Sequence, residues 1–288
     1  MNGPPRNRSI RSRSKPADKG IRAPVVAGIY YPAEPADLRE TVDRLLSGGG
    51  RNKKQKAVAA VAPHGSFRLA GAVLGALHAS LEWPALVVVV GPNHSGRGAP
   101  LGISIRGAWS TPLGELKVHE RMARLILKSA PDLQKDDRCH QDEHSIELQL
   151  PFFQRLGVRG FVPVAVGPCD AETARRVGDG IARAVRLIRE PVLVLASTNL
   201  TTYRPAETVG RSDPAILERI LALQEEALME QAAQSQSGMC GVSALAVVIA
   251  AAKILGAARG RLVRYQSSAE MTGIQVSATG YAGVVLEG

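Results

Sequence analysis

A chain of 288 residues, 45% hydrophobic and 22% charged, can bury a sizeable core and is not wholesale disordered. Aromatic residues at 4% leave little material for base-stacking surfaces, and three cysteines (Cys139, Cys169, Cys240) exclude a disulfide scaffold and suit a reducing cytosol. The net charge of +10 is local: residues 1–22 hold seven basic groups against one acid, the run Arg51 to Lys56 holds four more, and the remainder balances at 25 of each sign.

Residues 1–22 are rich in Arg, Ser and Pro and lack the apolar region of an export signal, so they are expected to form a disordered basic tail. A role for this tail as a nucleic-acid arm is not expected, and no nucleic-acid-binding residue is assigned. No apolar run approaches the about 20 residues that span a bilayer, so no membrane partner is expected and the cytoplasm is the expected compartment. Residues 23–288 are expected to form one domain.

Within that body, β-branched runs at Ala57–Ala62, Leu86–Val90, Phe161–Val166 and Val192–Ala196 read as strands buried on both faces. Helical periodicity marks Pro35–Leu46, Arg68–Ser80, Val118–Lys128, His144–Leu156, Ala171–Arg189, Pro214–Ala233 and Val242–Leu255. Two late extended segments, Leu262–Ser267 and Val276–Leu286, read as further strands. Alternating strands and helices give an α/β sandwich: a central mixed sheet flanked by helices in a single domain.

Ligands of open α/β sheets collect beyond the carboxyl ends of the strands. Three strands here run into unusual polar segments at that end: Pro63-His64-Gly65, Pro92-Asn93-His94-Ser95 and Ser197-Thr198-Asn199. Proline stops each of the first two ladders, so His64 and His94 stand on short rigid loops. Cys240 lies just before the apolar helix at Val242, where a helix N-terminus favours the thiolate that binds metal or attacks an electrophile. Cys139 and Cys169 lack such a setting and read as small buried hydrophobes. In Asp142-Glu143-His144-Ser145-Ile146-Glu147, the first two acids suit either capping of the helix that follows or support of a metal site.

Missing motifs narrow the field. No Gly-x-Ser-x-Gly elbow, phosphate loop, Gly-x-Gly-x-x-Gly, Cys-x-x-Cys or His-Glu-x-x-His occurs.

The ordered segments Ala27-Gly28-Ile29-Tyr30-Tyr31-Pro32, Ala62-Pro63-His64, Gly91-Pro92-Asn93-His94, Thr111-Pro112-Leu113-Gly114-Glu115, Asp142 through Pro151, Cys240-Gly241 and Gly280-Tyr281-Ala282-Gly283 resemble the Memo family, whose bacterial members are called AmmeMemoRadiSam system protein B. The resemblance runs from about Val25 to the C-terminus. It implies a fold like that of the class III extradiol ring-cleaving dioxygenases and a redox metal, iron or copper, on His64, His94 and Cys240. Ligand type alone also admits zinc. By the same resemblance Asp142, Glu143, His144 and Asn199 would stand behind the metal or act as acid or base, and Asn93, Ser197 and Thr202 would line the pocket. A small molecule or peptide is the implied ligand, and radical SAM system proteins are implied partners.

The chain departs from the family where Ser-Ser-Asp-Phe-x-His is expected and Ser197-Thr198-Asn199-Leu200-Thr201-Thr202 stands. Neither Asn nor Thr exchanges a proton near neutral pH as imidazole does, and losing a general base costs about 10²–10⁴-fold in rate. Three functions follow as alternatives: a metal-dependent oxidoreductase, dioxygenase-like and impaired or relying on His144 or Glu143; a non-catalytic binding module using the same pocket; and a zinc hydrolase with Glu143 as base.

Overall fold

The computed structural model describes residues 20–50, 54–235 and 237–288. Eleven strands among them join one sheet: β1 (Ile21–Arg22), β2 (Ala59–Ala62), β3 (Leu86–Pro92), β4 (Leu101–Ile103), β5 (Ala108–Thr111), β6 (Gly114–Val118), β7 (Gln134–Lys135), β8 (Gly160–Val166), β9 (Val192–Ser197), β10 (Arg259–Ser267) and β11 (Gly280–Glu287). The helices are α1 (Pro35–Ser47), α2 (Gly71–Ser80), α3 (Glu120–Ser129), α4 (Leu150–Leu156), α5 (Ala171–Leu187), α6 (Ala206–Leu221), α7 (Glu225–Gln234), α8 (Val242–Leu255) and α9 (Ser268–Thr272). The strands run in the order β1-β5-β6-β8-β3-β9-β2-β11-β10, with β4 and β7 off this path. The centre, β6-β8-β3-β9-β2, is parallel, and β11 and β10 continue it antiparallel.

The central strands are valine- and alanine-rich without alternation because helices cover them. Every residue of β2, β3 and β8 is buried. Helix α8 packs on β3, β9, β2 and α5, and α2 packs on β11, β2 and α1. Helix α8 is buried from Ser243 to Ala252, as its unbroken apolar run demands.

Four readings from the sequence need correction. The helix expected at His144–Leu156 begins only at Leu150, after a single 3-10 turn at Glu147–Gln149, so Asp142 and Glu143 do not cap it. The segment is held instead by side chains reaching in from other elements. The helix expected at Pro214–Ala233 is two helices, broken at Leu223, whose φ of 54° lies in the left-handed region. The strand expected from Val276 begins at Gly280. Five short strands, β1 and β4 to β7, went unread because segments of two to five residues are too short to carry a periodicity.

The boundary expected after residue 22 also falls inside the sheet, since Ile21 and Arg22 pair with Ala108 and Trp109. Residues 1–19, most of the expected tail, and residues 51–53 of the second basic run lie outside the described residues. Arg22 is a structural pin. Its guanidinium lies 4.1 Å over the Trp109 ring and donates to the Glu147 carboxylate at 2.8 Å, to the His140 carbonyl at 2.6 Å and to the Glu143 carbonyl at 2.5 Å. Glu147 is fully buried and accepts in addition from the backbone N–H groups of Val25 and Val26 and from the Tyr31 hydroxyl. Among the described residues, no helix is long and apolar enough to cross a membrane.

Removing one partner of a buried ion pair strands the other charge, a loss of about 3–5 kcal/mol. Arg22→Ala should therefore lower unfolding stability by that order in urea titration, whereas a loss below about 0.5 kcal/mol, the usual scale for a surface site, would count against the pin. His78 is the second lever. It is stacked between Trp83 and Phe152, and burial lowers its pKa to about 4. The unfolded chain takes up this proton near pH 6.5 and the folded chain only near 4, so stability falls as pH drops through that window, by about 3 kcal/mol at its lower end. In His78→Phe the acid slope of the urea midpoint should be one proton shallower.

Candidate functional site

Adjacent parallel strands β3, β9 and β2 deliver His94, Asn199 and His64 to one edge of the sheet. Cys240 arrives from the opposite end of the chain sequence on the turn before α8. Gly241 caps that helix with φ 77°, and a Cβ there would lie 3.2 Å from the Ser197 carbonyl, so the turn can press close to the end of β9. The ligand-type atoms of His64, His94 and Cys240 lie within 4.8 Å of one another. These three side chains, read from the sequence as strand-end and helix-start candidates, are thus brought together.

His64 is nearly fully buried. Its backbone N–H donates to Asn199 Oδ1 at 2.9 Å, and its Nδ1 lies 3.2 Å from Ser197 Oγ. The Ser197 hydroxyl itself donates to the Ser145 carbonyl at 2.9 Å, so its oxygen is left to accept the Nδ1 proton. Nε2 faces Cys240 Sγ at 3.1 Å.

His94 is held differently. Its Nδ1 donates to Glu143 Oε1 at 3.0 Å and its backbone N–H donates to Glu143 Oε2 at 2.8 Å. Glu143 also accepts the Ser145 N–H at 2.8 Å and is fully buried. Burial opposes its charge, but the two contacts to His94 and these N–H groups hold the carboxyl down at about 2. A carboxylate fixing the outer nitrogen of an imidazole is the arrangement that orients metal-binding histidines. Gly91 makes room for it: a Cβ at that position would meet Ser145 Oγ at 2.6 Å and Ile146 at 3.0 Å, so only glycine lets the 143–146 segment lie over the end of β3.

Burial works against a Cys240 thiolate, yet His64 and His94 outweigh it and draw the thiol down to about 5. His94 responds in kind: burial disfavours its proton, but Cys240 and Glu143 raise it to about 10. Cys240 Sγ and His64 Nε2 face each other across 3.1 Å, a spacing that a shared proton or a bound cation would bridge. The donor set fits a metal ion on that ground: two imidazole nitrogens and a thiolate, each imidazole fixed on its far side.

The remaining expected site residues divide. His144 lines the same cavity, stacked on His94 with ring centroids 5.0 Å apart and edge-on to Tyr30 at 5.3 Å. Burial and the neighbouring His64 keep it neutral, lowering it to about 4. Asn199 and Thr202 line the cavity too, but Asn199 is occupied with the His64 backbone and the Thr202 hydroxyl donates to the Gly238 carbonyl. Three others stand apart. Asp142 pairs with Arg97 on the surface, the Asn93 amide turns back to the carbonyls of Arg97 and Ala99, and Ser197 lies beneath His64 without reaching the cavity.

Residues not singled out for the site from sequence include Gln149, which donates to the Pro63 carbonyl at 2.9 Å and so braces the His64 loop. Tyr30 and Tyr281 complete the walls, with burial pushing the Tyr281 hydroxyl up to about 12. Their motifs, Ile29-Tyr30-Tyr31-Pro32 and Gly280-Tyr281-Ala282-Gly283, were visible as matching segments, but no local pattern said that they faced a pocket.

Comparisons with known proteins bear on this geometry. The model of the family described as Memo-like protein matches residues 22–285. A MEMO1 family protein of Methanopyrus kandleri is 34% identical over 277 residues, covering 92% of this chain and 98% of its own length. A MEMO1 family protein of Aquifex aeolicus is 33% identical over 267 residues, covering 92% and 98%. In fold, the chain is similar to the crystal structure of an uncharacterized protein from Escherichia coli K12, with a TM-score of 0.52 at 15% identity over 80% of this chain and 100% of that one. With nearly the whole chain matched, and relatives covered end to end, this protein belongs to the Memo family.

Proposed function

We propose that the protein is a metal-dependent oxidoreductase, dioxygenase-like in chemistry, whose His64, His94 and Cys240 hold iron or copper. The observation that carries the reading is the convergence of these three donors within 4.8 Å, with His64 fixed by Ser197 and His94 by Glu143. A redox metal held there would supply electron transfer to or from a bound ligand. The chain's own residues would do the rest. The hydroxyl-lined walls would orient a small molecule or peptide, and His144, neutral and facing the cavity, would take or give a proton in place of the family's histidine, which Thr202 replaces here. Proteins of the radical SAM system are proposed partners by family association.

A zinc hydrolase using Glu143 as its base is disfavoured by geometry. Both carboxylate oxygens are already engaged by His94 and Ser145, and the side chain is not part of the cavity wall. A second reading, a non-catalytic binding module, is favoured by one observation. Asn199 and Thr202 are each committed to backbone groups and cannot exchange protons.

Metal analysis of protein purified without a chelating tag tests the main reading. About one iron or copper per chain is expected, lost in His64→Ala and in Cys240→Ser. Absence of metal after anaerobic reconstitution with iron or copper would sink it and leave the binding-module reading. Glu143→Gln keeps the shape of the side chain but removes the charge that orients His94. Its metal affinity, measured by competition with a chelator, should fall about 10–100-fold. An unchanged affinity would show that His94 needs no such support.

A further inference from the structure

The cavity beside His64, His94 and Cys240 has a volume of about 480 Å³, room for a small organic ligand. None of the residues lining it is Lys, Arg, Asp or Glu. Its polar groups, apart from the histidines, Asn199 and Cys240, are side-chain hydroxyls, among them those of Tyr30, Ser66, Tyr203, Thr279 and Tyr281. The mouth is apolar. Of the seven large hydrophobic side chains left exposed among the described residues, Tyr203 (76% exposed) and Ile274 (52%) line the cavity and Ile29, Met271 and Val276 each adjoin a lining residue in the chain, while Leu187 and Leu262 lie elsewhere. Clustered exposed hydrophobics of this kind mark a binding surface.

A carboxylate or phosphate entering this cavity would give up its water and meet no Lys or Arg side chain in return. A neutral hydroxyl or carbonyl would instead exchange water for the wall hydroxyls, and an apolar body would cover the exposed rim.

We infer that the pocket takes an uncharged molecule whose hydroxyl or carbonyl groups meet the hydroxyl wall and whose apolar body rests on the rim at Tyr203 and Ile274, and that it rejects carboxylates and phosphates. This names the ligand class of the site proposed above and rests on that reading for its location.

Cinnamyl alcohol and cinnamate share a skeleton and differ in charge. Titrated by ligand-observed NMR near neutral pH into the full chain, both metal-loaded and chelated, the alcohol should bind at least about tenfold tighter. Ile274→Ser should weaken the alcohol about three- to tenfold by removing rim contact. Ile274→Arg should raise cinnamate to the alcohol's affinity or above by supplying the missing cation. Cinnamate binding as tightly as the alcohol to the unmodified chain, binding of neither probe, or an unchanged ratio in Ile274→Arg overturns the inference. The two readings fail separately. A chain that holds no metal yet prefers the alcohol sinks the metal assignment and supports the ligand class, while a metal-loaded chain that prefers cinnamate does the reverse.

Discussion

The site depends on one buried carboxylate. Glu143 sits in the interior with its charge retained because three contacts converge on it: the His94 ring, the His94 backbone N–H and the Ser145 N–H. An acid so deeply placed would otherwise take up a proton. Its retention fixes the imidazole of His94 through the outer nitrogen and fixes the loop through the backbone. The same carboxylate thus ties the 143–146 segment to the loop after β3 and sets which nitrogen of His94 faces the cavity.

Around that carboxylate the structure repeats a single device, in which buried polar groups are bound on their far side so that their near side is presented in one orientation. Ser197 does this for His64, and is itself held by the Ser145 carbonyl. Arg22 and Glu147 do it for the whole segment from His140 to Gln149, tying the N-terminal strand to the loop that carries Glu143. The loop has almost no helix of its own, and the cross-links take the place of the helical hydrogen bonds that its sequence periodicity suggested. Preorganisation of this sort is what a metal site or a selective pocket requires, since each ligand must be oriented before the guest arrives.

Much of the core was legible from local pattern alone. The runs at Leu86–Val90, Val192–Ala196 and Val242–Leu255 are apolar on all sides because they lie between layers, and burial of that kind leaves its mark residue by residue. The ligand trio was legible for a related reason: residues after a proline-stopped strand have few structural duties, so His64 and His94 stood out. What local pattern could not convey is direction. Asp142 and Glu143 are neighbours of the same chemical type, yet one pairs with Arg97 in solvent and the other is the most enclosed acid of the site. Arg22, counted with the basic tail, is a core contact.

By itself, then, the sequence determined the class of fold, because periodicity and apolar runs mark buried strands and helices, and it carried the motifs by which the chain resembles the Memo family and the candidate donors His64, His94 and Cys240. Tertiary structure alone decided which of those donors meet. Cys240 is 176 residues from His64, and only the pairing of β2 with β9, and the glycine turn that brings α8 down on the end of β9, places its sulfur 3.1 Å from the imidazole. It also decided what the pocket lacks. No reading of composition could reveal that a chain with 62 formally charged residues would line its central cavity with none of the Lys, Arg, Asp or Glu among them, because side-chain direction is set by packing between elements far apart in the chain.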